Sequence, residues 1–238
     1  MEGSLKAVYV ARFRADMTRA QAGDYWTHVH APMADGLDDM VRYVQSHVVG
    51  PVGGREEPAG GLAFDGYACE WWRDRSRFEA GMQTPDWATI VADGVEFLDT
   101  GSLSGMSVIV EETVVADGAL APYKLAFFMR FRDDIGRDAA IAHWRGPHAP
   151  LALELPGLVR YVQNVVVGSL GAGGVITDER ARFDGFAELW FEDEAAWLAA
   201  AATEASERLY RDSFEFIDME SAASTSAAVI ERVIKPRG

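Results

Sequence analysis

The chain has 238 residues, 49% hydrophobic and 25% charged, a balance that excludes a disordered polypeptide and fits one large or two small globular domains. A net charge of -15 repels nucleic acid and anionic membrane surfaces, and leaves a neutral or locally contacted small molecule as a compatible partner. The single cysteine, Cys69, excludes an internal disulfide and has no Cys partner at metal-ligand spacing, so a reducing, cytoplasmic setting is expected. The first residues carry Glu2 and are interrupted by Arg12, unlike a secretory signal, and no apolar run approaches the ~20 residues that cross a bilayer.

In chain order, "AVYVARF" is rich in β-branched and aromatic residues and predicts a strand. Thr18 then caps a helix running to Pro32, with Trp26 and His30 four apart on one face. "VRYVQSHVV" is a second strand that turns Tyr43, Gln45 and His47 to one side. A flexible loop containing "GPVGG" leads to a third strand, "DGYACEWW"; helical segments follow through "SRFEAGM" to "EFLD", and "MSVIVEETVV" closes the unit.

The same order then repeats. "KAVYVARFR" meets "KLAFFMRFR", "DYWTHVHAPM" meets "AHWRGPHAPL", and "VRYVQSHVVG" meets "VRYVQNVVVG". After one extra loop residue, "FDGYACEWW" meets "FDGFAELWF" and "EFLD" meets "EFID". The chain is a tandem duplication: a first repeat over residues 1–117, a linker over 118–122 and a second repeat over 123–238. Each unit reads as an α+β layer of antiparallel strands with helices on one face, and packing the two sheets face to face hides the apolar surface that each alone would expose.

The ordered set of "RFR", Trp, "HAP", "RYVQ", "DG(F/Y)A" and "EF(I/L)D", present twice, resembles the EthD-type family of the dimeric α+β barrel superfamily. The resemblance implies ferredoxin-like units and an α+β barrel built within one chain. It also implies a range of activities: oxygenases, isomerases, dehydratases, decarboxylases and cyclases that use no cofactor, haem proteins, and members without a known role. Residues must choose among these.

His30 and His148 head the catalytic candidates, because an imidazole at a helix end suits proton shuttling near neutrality; the alternative is a ring bonded to backbone that fixes the turn. His47 is a third candidate, replaced by Val165 in the other copy. Glu188, matched by Cys69, is the fourth; the resemblance implies an acid-base carboxylate there, as in related isomerases. Candidate substrate contacts are Tyr43, Gln45, Tyr161 and Gln163, with Trp26 and Trp144 alternatively core residues. Arg12 and Arg130 either stabilise a substrate oxyanion or pair with Asp65 and Asp184. His28 and His30 sit two apart on a helix and cannot chelate one ion, so no metal is expected. The glycine-rich pieces "GPVGG" and "GSLGAGG" lack the features of a phosphate loop and read as lids over a pocket.

These residues predict a lyase, isomerase or cyclase without metal or organic cofactor, acting by His and Glu acid-base chemistry on an aromatic or polyketide-like compound. Cofactor-free monooxygenation and non-catalytic carriage of a small molecule or haem are the alternatives. Which repeat works, and whether the chain pairs further into a homodimer, stay open at this level.

Overall fold

The computed structural model describes residues 4–53, 62–101, 106–221 and 224–236. The first repeat runs β1 (Leu5–Ala11), α1 (Arg19–Tyr25), β2 (Met40–Gly50), β3 (Gly66–Trp72), α2 (Arg75–Gly81), α3 (Pro85–Asp93) and β4 (Ser107–Asp117). The second runs β5 (Tyr123–Met129), α4 (Arg137–His143), α5 (Ala149–Leu153), β6 (Arg160–Leu170), the short β7 (Ile176–Thr177), β8 (Gly185–Phe191), α6 (Glu194–Ala201), α7 (Glu204–Ser213) and β9 (Thr225–Lys235).

Among the described residues, eight strands close into an antiparallel barrel in the order β4-β1-β3-β2-β9-β5-β8-β6, and β4 pairs with β6 to complete the ring. The two sheets therefore do more than face each other. The last strand of each repeat hydrogen-bonds to the second strand of the other, β4 with β6 and β9 with β2, so closure abolishes both sheet edges.

The barrel interior is an aromatic cluster in which Phe128 stacks on Phe186 at 4.9 Å and meets Phe64 and Phe183 edge to face. Outside the barrel, a separate core lies between each half-sheet and its helices. Every residue of β3 and β8 is consequently buried, because one side faces the barrel and the other faces helices.

The repeated "FDG" has a packing role at each of its residues. Phe64 and Phe183 fill the barrel, while Asp65 and Asp184 accept the backbone N–H groups of Phe13 and Phe131 at 2.9 and 3.0 Å. Gly66 and Gly185 let an indole lie against the strand: a Cβ would stand 2.8 Å from the ring of Trp26 or of Trp144. Both tryptophans are thus buried against the strand.

One helix boundary differs from the sequence expectation. Thr18 does cap α1 through a reciprocal box with Gln21, but the segment continues past Pro32 as a tighter turn to Gly36, since Pro is tolerated at the first helical position. The alanine-rich run "DEAAWLAAAATEASERLY" forms two helices, α6 and α7, and there the boundary is set by Thr203, which accepts the Ser206 N–H and starts the second.

Candidate functional site

The "W-x-x-x-H" spacing builds a wide helical turn. Over Trp26–His30 the helix opens to a π turn, with the Ala31 N–H donating to the Trp26 carbonyl. Gln45 also donates to that carbonyl at 3.1 Å, and to Tyr43 Oη at 2.9 Å. In the second repeat Gln163 donates to the Trp144 carbonyl at 3.0 Å and to Tyr161 Oη at 2.9 Å. The structure thus commits the buried amides of Gln45 and Gln163 to holding the two turns against β2 and β6.

Each turn presents its histidine to an aspartate near the end of the second helix after β3 or β8, α3 or α7. His30 Nδ1 lies 2.7 Å from Asp93 Oδ2, and Tyr25 donates to the other Asp93 oxygen at 2.8 Å. His148 Nδ1 lies 2.7 Å from Asp212 Oδ2, with His143 taking the place of Tyr25 at 3.0 Å. Burial lowers the pKa of both His30 and His148, and the aspartates offset only part of that effect. The neutral ring then donates from Nδ1, an assignment made from the hydrogen bond, and presents Nε2 as an acceptor.

A cavity of about 580 Å³ lies between the first half-sheet and its helices. His30 enters it from the helical layer and Trp26, Trp87 and Phe97 form apolar walls, while Tyr9, Tyr43 and Glu70 lie on the sheet side. Part of the roof comes from the other repeat: Leu170 and the turn Gly171–Gly174 line the cavity, and Trp87 Nε1 donates to the Gly173 carbonyl at 2.7 Å. "GSLGAGG" therefore borders the cavity mouth. In the matching loop, residues 54–61, including the last glycine of "GPVGG", lie outside the described residues.

Glu70 is 7% exposed, and burial pushes its pKa up to about 8 even though Trp72 Nε1 donates to its carboxyl at 3.2 Å. Tyr9 Oη is buried without a hydrogen-bond partner among the described residues, and burial together with Glu70 holds its pKa well above the usual phenol value.

The remaining candidates stand elsewhere. His47 packs on Trp26 with ring centroids 4.7 Å apart and bonds to Gln45 Oε1 at 3.0 Å; burial and Arg232 pull its pKa down to about 4 against the opposing pull of Asp24. Glu188 points into the barrel. Its oxygens lie 2.5 Å from Lys124, 3.5 Å from Lys6 and 2.8 Å from Tyr67 Oη, while Asn164 donates at 3.0 Å. Burial alone would raise its pKa, but the two ammonium groups win and hold it far below the usual carboxylate range. That geometry keeps Glu188 ionised and apart from the His30 cavity, whereas the sequence predicts a general base with a raised pKa or a carboxylate that orients a histidine.

Arg12 approaches Asp65 at 3.7 Å and donates to the Leu62 carbonyl; Arg130 approaches Asp184 at 3.4 Å and donates to the Ala181 carbonyl at 3.0 Å. Neither lines the His30 cavity. Cys69 is buried in the barrel, and burial pushes its thiol up to about 12, so the inert protonated form prevails. Among the described residues no group of three or more His, Cys, Asp or Glu is placed to hold a metal, and no helix is long and apolar enough to cross a membrane.

Sequence reasoning passed over Tyr9, Glu70, Trp87 and Asp93. A signal for the first two existed in the repeat itself: Tyr9 and Glu70 align with Phe127 and Leu189, so the first copy is polar where the second is apolar.

Comparison with known proteins agrees with this doubled architecture. The EthD domain matches residues 14–101 and again 132–220. The chain belongs to the EthD family. It is an EthD protein with both copies in one polypeptide, and structures of the dimeric α+β barrel superfamily share its whole fold. An anthrone oxidase-like protein superposes with a TM-score of 0.60 at 13% identity, covering 100% of this chain and 96% of its own. A candidate monooxygenase from Fusobacterium nucleatum gives 0.58 at 10% identity, covering 99% and 94%. One from Lactobacillus acidophilus gives 0.55 at 8%, covering 97% and 94%. Such low identities speak for the fold alone. No curated protein matches the sequence significantly.

Proposed function

We propose that this EthD protein is an enzyme with one working chamber, in its first repeat, where His30 moves a proton on a hydrophobic aromatic or polyketide-like compound in a lyase, isomerase or cyclase reaction. The observation that carries the reading is the Asp93–His30 pair opening on the 580 Å³ cavity walled by tryptophans. Its volume suits a small organic molecule. A neutral imidazole oriented by a carboxylate is a competent general base, and proton transfer of this kind needs no organic cofactor.

The second repeat keeps the dyad but fills the corresponding space. Where β1 and β3 have Ala7, Ala11 and Glu70, β5 and β8 have Leu125, Met129 and Leu189, all buried in one apolar cluster with Val52 from the first repeat. His148 and Asp212 then act as a structural pair.

Deuterium exchange at the activated carbon of 2-tetralone or anthrone, followed by NMR, tests the proposal. Exchange should fall at least ~100-fold in His30→Asn and stay within about twofold of the parent in His148→Asn. Equal losses in both, or none in either, would remove the reading. Fold relatives named as monooxygenases and anthrone oxidase-like motivate a second reading, in which the same base makes a carbanion that reduces oxygen. Oxygen consumption coupled to turnover of anthrone would select it.

A further inference from the structure

The sheet side of the chamber carries two polar groups that the dyad does not use and that the second repeat lacks. Tyr9 on β1 pairs across to Ala68 on β3, and Glu70 is two residues along β3, paired with Ala7 on one side and Tyr43 on the other. Tyr9 and Glu70 are therefore diagonal neighbours on one face, close enough for long side chains to act on one atom. Both line the chamber. Both are replaced by groups without a donor in the other half, Phe127 and Leu189.

Their surroundings keep them as donors. Tyr9 Oη has no partner among the described residues, and the cross-repeat turn covers it: a Cβ on Gly174 would lie 3.2 Å from that oxygen. Trp72, which is Phe191 in the second repeat, donates to one oxygen of Glu70 and leaves the protonated carboxyl free to donate from the other. An apolar wall that keeps a carboxylic acid neutral at neutral pH turns it from a base into a hydrogen-bond donor. An unsatisfied buried hydroxyl is unfavourable, and a bound acceptor relieves it.

We infer that Tyr9 and Glu70 together form a donor site for the carbonyl oxygen of a planar aromatic ketone, and that they hold the oxyanion when the ketone becomes an enolate. This rests on the first-repeat chamber proposed above. His30 Nε2 takes the proton from the carbon beside the carbonyl, the C–H electron pair becomes the new C=C bond, and the carbonyl π pair moves onto oxygen, where the two donors meet it. Return of the proton from His30 to carbon completes the cycle without net oxidation. Tyr9 and Glu70 are catalytic residues in this scheme, since both touch the reacting oxygen.

Binding of 2-naphthol and of naphthalene, measured by fluorescence titration, tests the site, because naphthol places an enol-like oxygen on a flat ring and naphthalene has none. The parent protein should prefer naphthol at least tenfold. Tyr9→Phe and Glu70→Leu, which install the residues of the second repeat, should each remove most of that preference and leave naphthalene affinity within about twofold. Glu70→Gln, which keeps an N–H donor, should retain the preference within about threefold. Equal affinity of the parent for both probes, or substitutions that weaken both equally, would overturn the donor pair while keeping the chamber. A parent that binds neither probe would overturn the chamber and the donor pair together.

Discussion

The two halves of this EthD protein share a backbone plan and differ in what they do with the space between sheet and helices. Both have the Trp, Gln and Tyr that hold the wide turn, and both set a histidine on an aspartate at 2.7 Å. Among the described residues, the first half has Ala7, Ala11 and Glu70 on the sheet beneath the helices where the second has Leu125, Met129 and Leu189. The His–Asp pair at 2.7 Å stands beside larger apolar side chains in the second half, which agrees with a structural role there and with the chamber proposed for the first.

The barrel interior shows the opposite asymmetry. Lys6 and Lys124 occupy matching positions, each with a glutamate from the last strand of its own repeat, Glu112 and Glu231, at 2.6 and 2.8 Å. The second half contributes Glu188 to both lysines, whereas the first half has Cys69 at that place. One shared carboxylate thus ties the halves together across the barrel.

The largest test of this comparison is Glu188→Gln, which leaves two buried ammonium groups short of a counter-charge. It should cost about 3–5 kcal/mol in denaturant unfolding, against no more than ~2 kcal/mol for Cys69→Ala at the equivalent position. Similar costs would show that the interior charges are not shared as described.

Exchanging the cavity residues probes the other layer. Met129→Ala should destabilise by about 3 kcal/mol, because it opens a void in a packed core. Ala11→Met should instead fill the first chamber and abolish binding of 2-naphthol, with a stability change below ~1.5 kcal/mol. Circular dichroism melts and the fluorescence titration give the two readouts.

Glu70 makes the chamber pH-dependent. Its folded pKa of about 8 lies above that of the unfolded chain, so the folded state holds a proton that the unfolded state has released. Stability from this group is highest below the ordinary carboxylate pKa, falls as pH rises towards 8 and is level beyond. Between pH 5.5 and 8 the parent should lose on the order of 3 kcal/mol relative to Glu70→Gln; parallel pH profiles would sink the assignment.

Gly174→Ala is the smallest change. With φ of 80° and a Cβ that would stand 2.7 Å from Met82 Sδ, it should cost about 1–2 kcal/mol and weaken ligand binding at the chamber mouth. The corresponding substitution at Gly146, where a Cβ meets nothing within 4 Å, should be tolerated.

Much of this was legible in the residues. The duplication, the order of elements along the chain and the facing of the two halves follow from repeated patterns, and Thr18 announced itself as a helix cap by residue type. The site was legible in part. His30 stood out by its motif, but Asp93 did not, since an aspartate in a helix looks like a solvated one until the tertiary fold brings it to the imidazole. Glu188 drew attention and Glu70 was passed over because their strands are hard to parse. Alternation shows that residues 67, 69 and 71 share a face, yet both faces of β3 are buried, so hydropathy does not say which looks into the barrel and which into the helical layer.

What the sequence by itself determined is the doubled α+β plan, because hydrophobic period and turn residues are local properties written into each repeat. Which face each carboxylate occupies, which half stays hollow, and the roofing of one repeat's chamber by the other's loop were decided only by the tertiary structure, because burial, and with it protonation, depends on residues distant in the chain.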